Sequence, residues 1–575
     1  MTLDLVIRGG SVADGRGAPL FEADIAVEKG KIVAIGEIPG SGSEEIDARG
    51  KLVAPGWVDI HSHYDGQALF EDRLLSSGWH GATTTVMGNC GVGFAPLKAG
   101  DRELLIELME GVEDIPASVL DEGLDWDWHS FEDFLQALER RKHDMDICAQ
   151  LPHSAVRVYV MGERAMRREV ATADDIAQMR AITAEAIRAG ALGFTTSRTL
   201  NHRTVAGEPI PSWDAAAEEL TGIVMGLRDA GAGVMQLISD LTPERRPSEF
   251  ALMRGMMEAS GRPLSITILQ QNRDPDGWKD FMNMIDRAVA DGLPMRAQIA
   301  PRPIGTLFGL DLGRHGLCYH PSYKKIEDKS LVERVAIMRD ASFRAQLLSE
   351  KPEHDIDQLI RRVRNFDYQF PFNDPPDYAP PREASVAATA ERTGKSVDEI
   401  VYDLLLEEDG MQMIFSPNNN FANYSLDACR EQMENPNSII SLSDGGAHVA
   451  HICDVSYSTY LLTYWGRDRA EGALDVSWLI KRMTGDSAAA VGLLDRGVLA
   501  PGYKADINVI DHEKLTIRKP LMVHDLPLGA KRLIQKADGY VATVKSGEIT
   551  YRDGEATDAL PGGLVRGAQA APKAT

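Results

Sequence analysis

The chain has 575 residues and a formal net charge of −25, with 43% hydrophobic and 26% charged residues, a composition ordinary for a globular protein. This length indicates two or more domains. The negative charge argues against nucleic acids and anionic membranes as partners, since both would repel an acidic protein.

Membrane insertion, secretion and disulfide cross-linking are not indicated. No apolar run reaches the ~18 residues that a membrane span needs. The start of the chain carries Asp4 where a signal peptide would carry Lys or Arg. The 5 cysteines are scattered and form no CxxC pair. We therefore predict a cytoplasmic protein that does not associate with membranes.

Short β-like segments occur at both ends of the chain. Residues 1–55 hold three of them, separated by glycine-containing turns, and residues 496–563 have the same texture. The segments are 3–10, 23–27, 31–36, 505–510 and 541–547. Either end is too small to bury a core by itself. We predict one small β-sandwich domain built from both termini.

Residues 56–495 alternate between strand-like and helix-like segments, which is typical of α/β proteins with a parallel sheet. Helices are predicted over 172–189, 213–230 and 279–290. The eight strand candidates end near His63, Cys90, Pro152, Ser197, Ser239, Gln270, Ala300 and Asp444. This pattern predicts a (β/α)8 barrel of the TIM type, whose functional residues lie at the carboxyl ends of the strands.

The regular spacing breaks between strands 7 and 8, where roughly 140 residues replace the usual connection of about 2–6. We interpret residues of about 305–395 as an insertion that covers the barrel mouth. The last residues, 564–575, have low complexity and are predicted to form a mobile tail.

The first motif with chemical content is Val53-Ala54-Pro55-Gly56-Trp57-Val58-Asp59-Ile60-His61-Ser62-His63. It predicts a buried strand with His61 and His63 on one side, because residues two apart in a strand point the same way. The pair could also be two buried core histidines. Gly88-Asn89-Cys90-Gly91 at the end of the next strand favours a metal site, since a thiolate beside two imidazoles suits zinc.

These motifs, together with Ala82-Thr83-Thr84-Thr85-Val86-Met87 before Gly88, resemble the amidohydrolase superfamily and its D-aminoacylase branch, the N-acyl-D-amino-acid deacylases. The resemblance extends from about residue 1 to 563. It implies that Cys90 is a metal ligand at the end of strand 2. Asp444, in Ser441-Leu442-Ser443-Asp444-Gly445-Gly446, matches the catalytic Asp of the family, which takes a proton from water and passes it to the leaving nitrogen. An Asp before glycines can also simply form a turn.

The chain departs from the family pattern at strands 5 and 6, where the branch supplies further His ligands. Gln236 and either Leu269 or Gln270 stand at these positions, and strand 4 ends without a Lys that could be carbamylated. We therefore predict one zinc ion rather than two, held by His61, His63, Cys90 and Asp444.

Further polar residues follow the predicted strands and are candidates for substrate binding. Arg302 is the first candidate for a bidentate contact with a substrate carboxylate. The full set is Arg302, Arg198, Arg203, His153, His202, Gln236, Gln270 and His448.

Together these features predict metal-dependent hydrolysis of a linear amide, and the resemblance implies N-acyl-D-amino acids as substrates. We expect a small substrate with an amide and a carboxylate, and a homo-oligomer. Two alternatives stay open. One is hydrolysis of a cyclic amide or another C–N bond, as in hydantoinases and dihydroorotases. The other is a metal-free, non-catalytic barrel protein, which the missing ligands at strands 5 and 6 would permit.

Overall fold

The structure, a computed structural model, describes residues 3–354 and 357–573. The first two residues of the predicted sandwich, residues 355–356 of the predicted insertion and the last two residues of the predicted tail therefore lie outside the described residues.

The strands are β1 (Leu3–Val12), β2 (Phe21–Glu28), β3 (Lys31–Gly36), β4 (Gly42–Asp47), β5 (Leu52–Pro55), β6 (Trp57–Asp59), β7 (Ala82–Met87), β8 (Asp146–Ala149), β9 (Leu151–Pro152), β10 (Gly193–Arg198), β11 (Val234–Ser239), β12 (Leu264–Thr267), β13 (Met295–Ile299), β14 (Ile304–Phe308), β15 (Phe370–Phe372), β16 (Met413–Asn419), β17 (Ser438–Ile440), β18 (Ile507–Ile510), β19 (Thr516–Ile517), β20 (Leu521–Leu526), β21 (Ala530–Ile534), β22 (Ala537–Asp538), β23 (Tyr540–Lys545), β24 (Glu548–Arg552) and β25 (Glu555–Ala556).

The α-helices are α1 (Gln67–Phe70), α2 (Arg102–Glu113), α3 (Ala117–Gly123), α4 (Phe131–Glu139), α5 (His153–Met161), α6 (Glu163–Met166), α7 (Ala173–Ala189), α8 (Ala217–Ala230), α9 (Arg246–Ser260), α10 (Gly277–Ala290), α11 (Pro321–Lys324), α12 (Leu331–Met338), α13 (Ala341–Ser349), α14 (Asp357–Val363), α15 (Val386–Thr393), α16 (Val397–Leu406), α17 (Asp427–Glu434), α18 (Tyr457–Tyr460), α19 (Val476–Met483) and α20 (Gly485–Ala490).

Strands from both ends of the chain share one nine-stranded sheet. Its order is β25-β24-β23-β18-β5-β1-β2-β3, with β4 beside β1. The two ends meet where β5 pairs antiparallel with β18, with Val53 opposite Val509. Val53, Val509 and Ile7 are fully buried in one apolar cluster of this sheet. The amino-terminal segment therefore depends on the carboxyl-terminal segment for its core.

The central strands are parallel and follow one another in chain order. One sheet has the order β6-β7-β8 and the other β9-β10-β11-β12-β13-β17. The chain passes from β8 to β9 across Gln150. A backbone bridge between Ser62, after β6, and Gly445, after β17, joins the first and last strands. The carboxyl ends of these strands thus gather at one edge, and the expected α/β class is confirmed.

The strand predicted over residues 53–63 is divided at Gly56. Its first part, β5, belongs to the terminal sheet, whereas β6 belongs to the central strands. A Cβ atom at Gly56 would lie 2.2 Å from Thr83 Oγ1, so only glycine allows this close approach. His61 and His63 consequently lie beyond the end of β6 and not within it.

The three helices predicted most clearly from the sequence are present as α7, α8 and α10. Helix α7 begins with a capping box between Thr172 and Asp175 and ends at Gly190, whose φ of 119° favours glycine. In the described part of the chain, none of the helices has the length and apolar character needed to cross a membrane.

The long segment between β13 and β17 forms a substructure of its own. It contains helices α11 to α16 and an antiparallel sheet of order β14-β16-β15. This insertion extends past the predicted end at residue 395, because β16 pairs with β14. Asn420 N donates to Gln270 O at 2.9 Å, and Leu307 N donates to His451 O at 2.8 Å. The insertion therefore lies at the carboxyl edge of the central strands.

The described residues of the segment predicted to be a mobile tail make backbone hydrogen bonds to strand β8 and to the turn after α20. Val565 N donates to Ile147 O at 2.8 Å, and Gln569 N donates to Gly492 O at 2.9 Å. Backbone groups make these contacts and require no particular side chain, so a segment of low complexity can also form them.

Candidate metal centre

Three of the predicted ligands form a tight, buried group. The ligand atoms of His61, His63 and Cys90 all lie within 4.8 Å of one another. Cys90 Sγ is 3.5 Å from His61 Nε2. Asp444 Oδ1 lies 3.4 Å from His61 Nε2 and 3.8 Å from His63 Nε2. The structure therefore brings together all four residues that the sequence indicated as metal ligands.

Backbone contacts between the first and last central strands place Asp444. Its N–H donates to His61 O at 3.2 Å. The neighbouring Ser443 hydroxyl donates to the buried carboxylate of Asp59. Cys90 and Asp444 have φ angles of 54° and 46°, which are uncommon for residues with a side chain. Such conformations are frequent at functional sites, where the surrounding structure holds them.

One of the two imidazoles is oriented by a hydrogen bond. His61 Nδ1 is 2.8 Å from Gln298 Oε1, and Gln298 Nε2 donates to Ser265 Oγ at 3.0 Å. An amide oxygen can only accept, so this contact requires the proton on Nδ1 and leaves Nε2 facing Cys90 and Asp444. Contacts of this kind orient ligating histidines in metal sites. His63 Nδ1 lies 3.3 Å from Glu113 Oε1, but these two atoms form no hydrogen bond in the described structure.

The electrostatics of the group fit a divalent cation. Burial lowers the pKa of His63 well below its usual value, so the imidazole is neutral and can donate a lone pair. Burial, assisted by Glu113 and Asp444, raises the pKa of the Cys90 thiol well above its usual value. A nearby dication reverses that preference, because it stabilises the thiolate. Two imidazoles, a thiol and a carboxyl group form a donor set suited to zinc.

His202 and His448 lie close enough to the centre to influence its charges. Burial, with His448 and His61, lowers the pKa of His202 to about 3. Burial would also lower the pKa of His448, but Asp114 and Glu113 outweigh it and raise the pKa to about 9. His448 Nδ1 is 2.9 Å from Asp114 Oδ2. Near neutral pH, His202 is therefore uncharged and His448 is a cation.

The predicted arginines are not assembled around these ligands. Arg198 is buried and makes a bidentate pair with Glu249, at 2.7 and 3.0 Å. Arg302 is buried and pairs with Asp454 at 2.6 Å, so it anchors the segment that follows Asp444 along the chain. Arg203 is exposed and donates to the backbone oxygen of Gly207 at 2.7 Å. Strand-end position alone did not distinguish a substrate-binding arginine from one in a structural ion pair.

Of the other substrate-binding candidates, only Gln236 lies directly at the centre. His153 is buried and bonded to Glu219 at 3.0 Å. Gln270 lies beyond the end of β12, and its side chain bonds backbone groups of the insertion and of the following loop. Gln236 Oε1 accepts from Cys90 N at 3.3 Å, and Gln236 Nε2 is buried without a partner among the described residues.

Sequence reasoning did not find Gln298 or Glu113. Gln298 lies on a predicted strand, so the sequence predicted its secondary structure, but it gave no indication of the contact with His61. Glu113 is the last residue of α2. Nothing in the sequence relates that helix end to His63, which lies 50 positions earlier in the chain.

A parallel α/β fold that gathers two histidines, a cysteine and an aspartate at the carboxyl edge of its strands has the residues that a metal-dependent hydrolase requires. The model of the amidohydrolase family matches residues 44–551, and the chain belongs to this family. It is a metal-dependent amidohydrolase that acts on carbon–nitrogen bonds.

The relatives and solved structures that resemble this chain include deacylases of N-acyl-D-amino acids. The N-acyl-D-aspartate deacylase of Alcaligenes xylosoxydans xylosoxydans is 26% identical over 89% of this chain and 86% of that protein. A D-aminoacylase structure described as having a binuclear metal centre, with one-metal activation and second-metal attenuation, covers 98% of this chain and 100% of its own, at a TM-score of 0.65 and 22% identity. The N-acyl-D-glutamate deacylase of Bordetella bronchiseptica, solved with zinc and a phosphonate inhibitor, covers 98% and 100%, at a TM-score of 0.64 and 20% identity. The similarity of these structures concerns the fold.

Proposed function

We propose that the protein hydrolyses the amide bond of N-acyl-D-amino acids. The observation that carries this proposal is the convergence of His61, His63, Cys90 and Asp444 at one buried point of the carboxyl edge. The deacylases among the relatives support the substrate class, since the similarity extends over most of both chains. A scaffold without catalysis would have no need of four such donors together.

The chemistry follows from the positions of the donors. When bound by these residues, a divalent ion polarises the scissile carbonyl and lowers the pKa of water. Asp444 is 20% exposed and so can meet the substrate. Its carboxylate accepts a proton from the attacking water and returns it to the leaving nitrogen. Gln236 Nε2, which has no partner in the described structure, can donate to a substrate oxygen.

The substrate carboxylate needs a cation near the centre that keeps an N–H group free of a hydrogen bond to a carboxylate. Arg198 and Arg302 are each held by a buried carboxylate. His448, whose pKa is about 9, is the remaining candidate of the original set near the centre, although it is shared with Asp114. We therefore assign the substrate carboxylate to His448.

We also propose one zinc ion per chain, because Gln236 and the residues after β12 supply no further metal ligand. The Ser62–Gly445 bridge supports closure of the central strands into a (β/α)8 barrel over residues 56–495. The shared sheet of both termini supports a separate domain of residues 1–55 and 496–563, which we take to be a β-sandwich.

The experiment that tests the proposal is turnover of a panel of N-acetyl-D- and N-acetyl-L-amino acids, with zinc-loaded and chelator-treated protein. We expect hydrolysis of D-derivatives, lost with chelator and restored by zinc. Hydrolysis of dihydrouracil or hydantoin, with no reaction of the linear amides, would instead support the cyclic-amide alternative. Activity that survives complete metal removal would contradict metal catalysis.

A further inference from the structure

A cavity of about 90 Å³ opens at the carboxyl ends of β10, β11 and β12. The residues around it come from the three strand ends and the loops after them, from the first turns of α9 and α10, and from Asn419 at the end of β16. The polar and charged ones used below are Thr199, Asp240, Arg246, Thr267, Asp274 and Trp278. The metal centre described above uses none of them.

The cavity lies next to the metal centre along the strands. Gln236 reaches Cys90 N, and Ile238, two residues further along β11, points to the same side and lines the cavity. Ser265 contacts Gln298, and Thr267, two residues further along β12, also lines the cavity. Two residues of a strand span about 6.6 Å. A group attached two or three bonds from the reacting amide can therefore enter the cavity.

The charge around the cavity is negative. Arg246 is its one cation among the described lining residues, and it is neutralised by Asp274 and Asp280, each at 2.9 Å. Asp240 has neutral partners instead, since its oxygens accept from Thr199 Oγ1 at 2.6 Å and from Leu200 N at 2.8 Å. A carboxylate entering the cavity would meet this uncompensated charge and be repelled.

Two residues that line the cavity carry buried hydrogen-bonding groups without partners among the described residues. Thr267 is 6% exposed and Trp278 is 7% exposed. Thr267 Oγ1 and Trp278 Nε1 have no hydrogen-bond partner in the part of the chain that the structure describes. Buried donors without partners are costly, so a ligand that accepts from them is favoured.

A primary carboxamide fits both the negative charge around the cavity and the hydrogen-bonding groups without partners. Its oxygen can accept from Thr267 or Trp278, and its NH₂ group can donate to Asp240. We infer that this cavity is the subsite for the side chain of the substrate, and that it selects a neutral carboxamide side chain and excludes an acidic one. The inference rests on the proposed deacylation, and it sets this chain apart from its aspartate and glutamate deacylase relatives in the group that the site accepts.

The test compares isosteric substrates that differ in charge. The values of kcat/KM are measured for N-acetyl-D-asparagine and N-acetyl-D-aspartate, and for the glutamine and glutamate pair, with N-acetyl-D-alanine as a reference too short to fill the cavity. We expect each amide to exceed its acid by at least about tenfold. Equal values, or a preference for the acids, would overturn the inference.

Two substitutions locate the selectivity. Asp240→Asn removes the charge at constant size, and we expect the amide-to-acid ratio to fall about tenfold. Trp278→Phe removes only the indole N–H and should reduce kcat/KM for the amides alone. Asp291→Asn is the matched control, because this carboxylate at the end of α10 is 57% exposed and does not line the cavity. A ratio unchanged in both Asp240→Asn and Trp278→Phe would place selectivity elsewhere and refute the subsite.

Failure of the subsite and failure of the deacylation are distinguishable. If N-acetyl-D-alanine is cleaved and the amide and acid derivatives react equally, only the subsite is wrong. If no N-acyl-D-amino acid is cleaved, the deacylation is wrong. In that case the subsite is tested by calorimetry, which measures the affinity of the asparagine and aspartate derivatives for the wild-type protein and for the Asp240→Asn variant. Tenfold tighter binding of the amide that depends on Asp240 supports it, and equal binding overturns it.

Discussion

Replacement of Asp444 by Asn separates proton transfer from metal binding. The substitution keeps the size of the side chain and one carbonyl oxygen, but it removes the ability to accept a proton. His61, His63 and Cys90 would remain within 4.8 Å of one another, so three of the four proposed ligands are untouched. Asp444 N still donates to His61 O, and the local backbone therefore has no reason to change.

We expect turnover of the Asp444→Asn variant to fall by about 10²–10⁴, the range typical of a lost general base. This corresponds to about 2.7–5.4 kcal/mol of transition-state stabilisation. Elemental analysis should still find most of the metal, and thermal unfolding should be unchanged. Asp409→Asn, at a carboxylate that is 82% exposed, serves as the control and should behave as wild type. Wild-type turnover in metal-loaded Asp444→Asn would mean that another group carries the proton, and His448 would be tested next.

Three further outcomes are expected. Gln298→Leu removes the acceptor that orients His61 and should weaken zinc binding by about 10–100-fold, measured by chelator competition; undiminished affinity would contradict that orienting role. Elemental analysis of the purified wild type should give about one zinc per chain, whereas two would contradict a mononuclear site. Lys545 Nζ lies 2.8 Å from each of two buried carboxylates, Asp506 and Asp146. Lys545→Met leaves Asp506 without an ion-pair partner in the described structure and removes one partner from Asp146, so it should lower the free energy of unfolding by roughly 3–5 kcal/mol, measured in a urea titration. Burial would raise the pKa of Asp146, but Lys545 and Arg496 outweigh it and hold the pKa well below its usual range, so this stabilisation is present above about pH 4 and is lost as the pH falls further; a pH-independent effect of the substitution would contradict this linkage.

The sequence was sufficient where the pattern is local. Strand ends, glycine turns and the resemblance to the amidohydrolases indicated Cys90 and Asp444, which the structure places beside His61, and the capping residue Thr172 located the start of α7. The sequence was insufficient where a side chain contacts a residue that is distant in the chain. Arg198 and Arg302 look alike from the sequence, because both follow a strand, and only the fold shows that Glu249 and Asp454 hold them.

The insertion and tail illustrate the same limit in the backbone. The predicted insertion ended at about residue 395, before the strand at Met413–Asn419. That strand, β16, pairs with β14 rather than with the central strands, and pairing partners cannot be read from periodicity. Contacts such as Val565 N to Ile147 O likewise involve only backbone atoms, which low-complexity segments also possess.

Assembly of the site and closure of the central strands depend on the same contacts. Asp444 approaches His61 because its N–H bonds His61 O and because Gly445 bridges Ser62, and these contacts also join the first and last strands. Cys90, which follows the second central strand, β7, also lies beside His61. An ion held by these residues would therefore connect His61 and Asp444, which follow the first and last central strands and lie 383 positions apart in the sequence. Because a ligand that binds only the folded state stabilises it, metal binding and stability of the central strands should be linked.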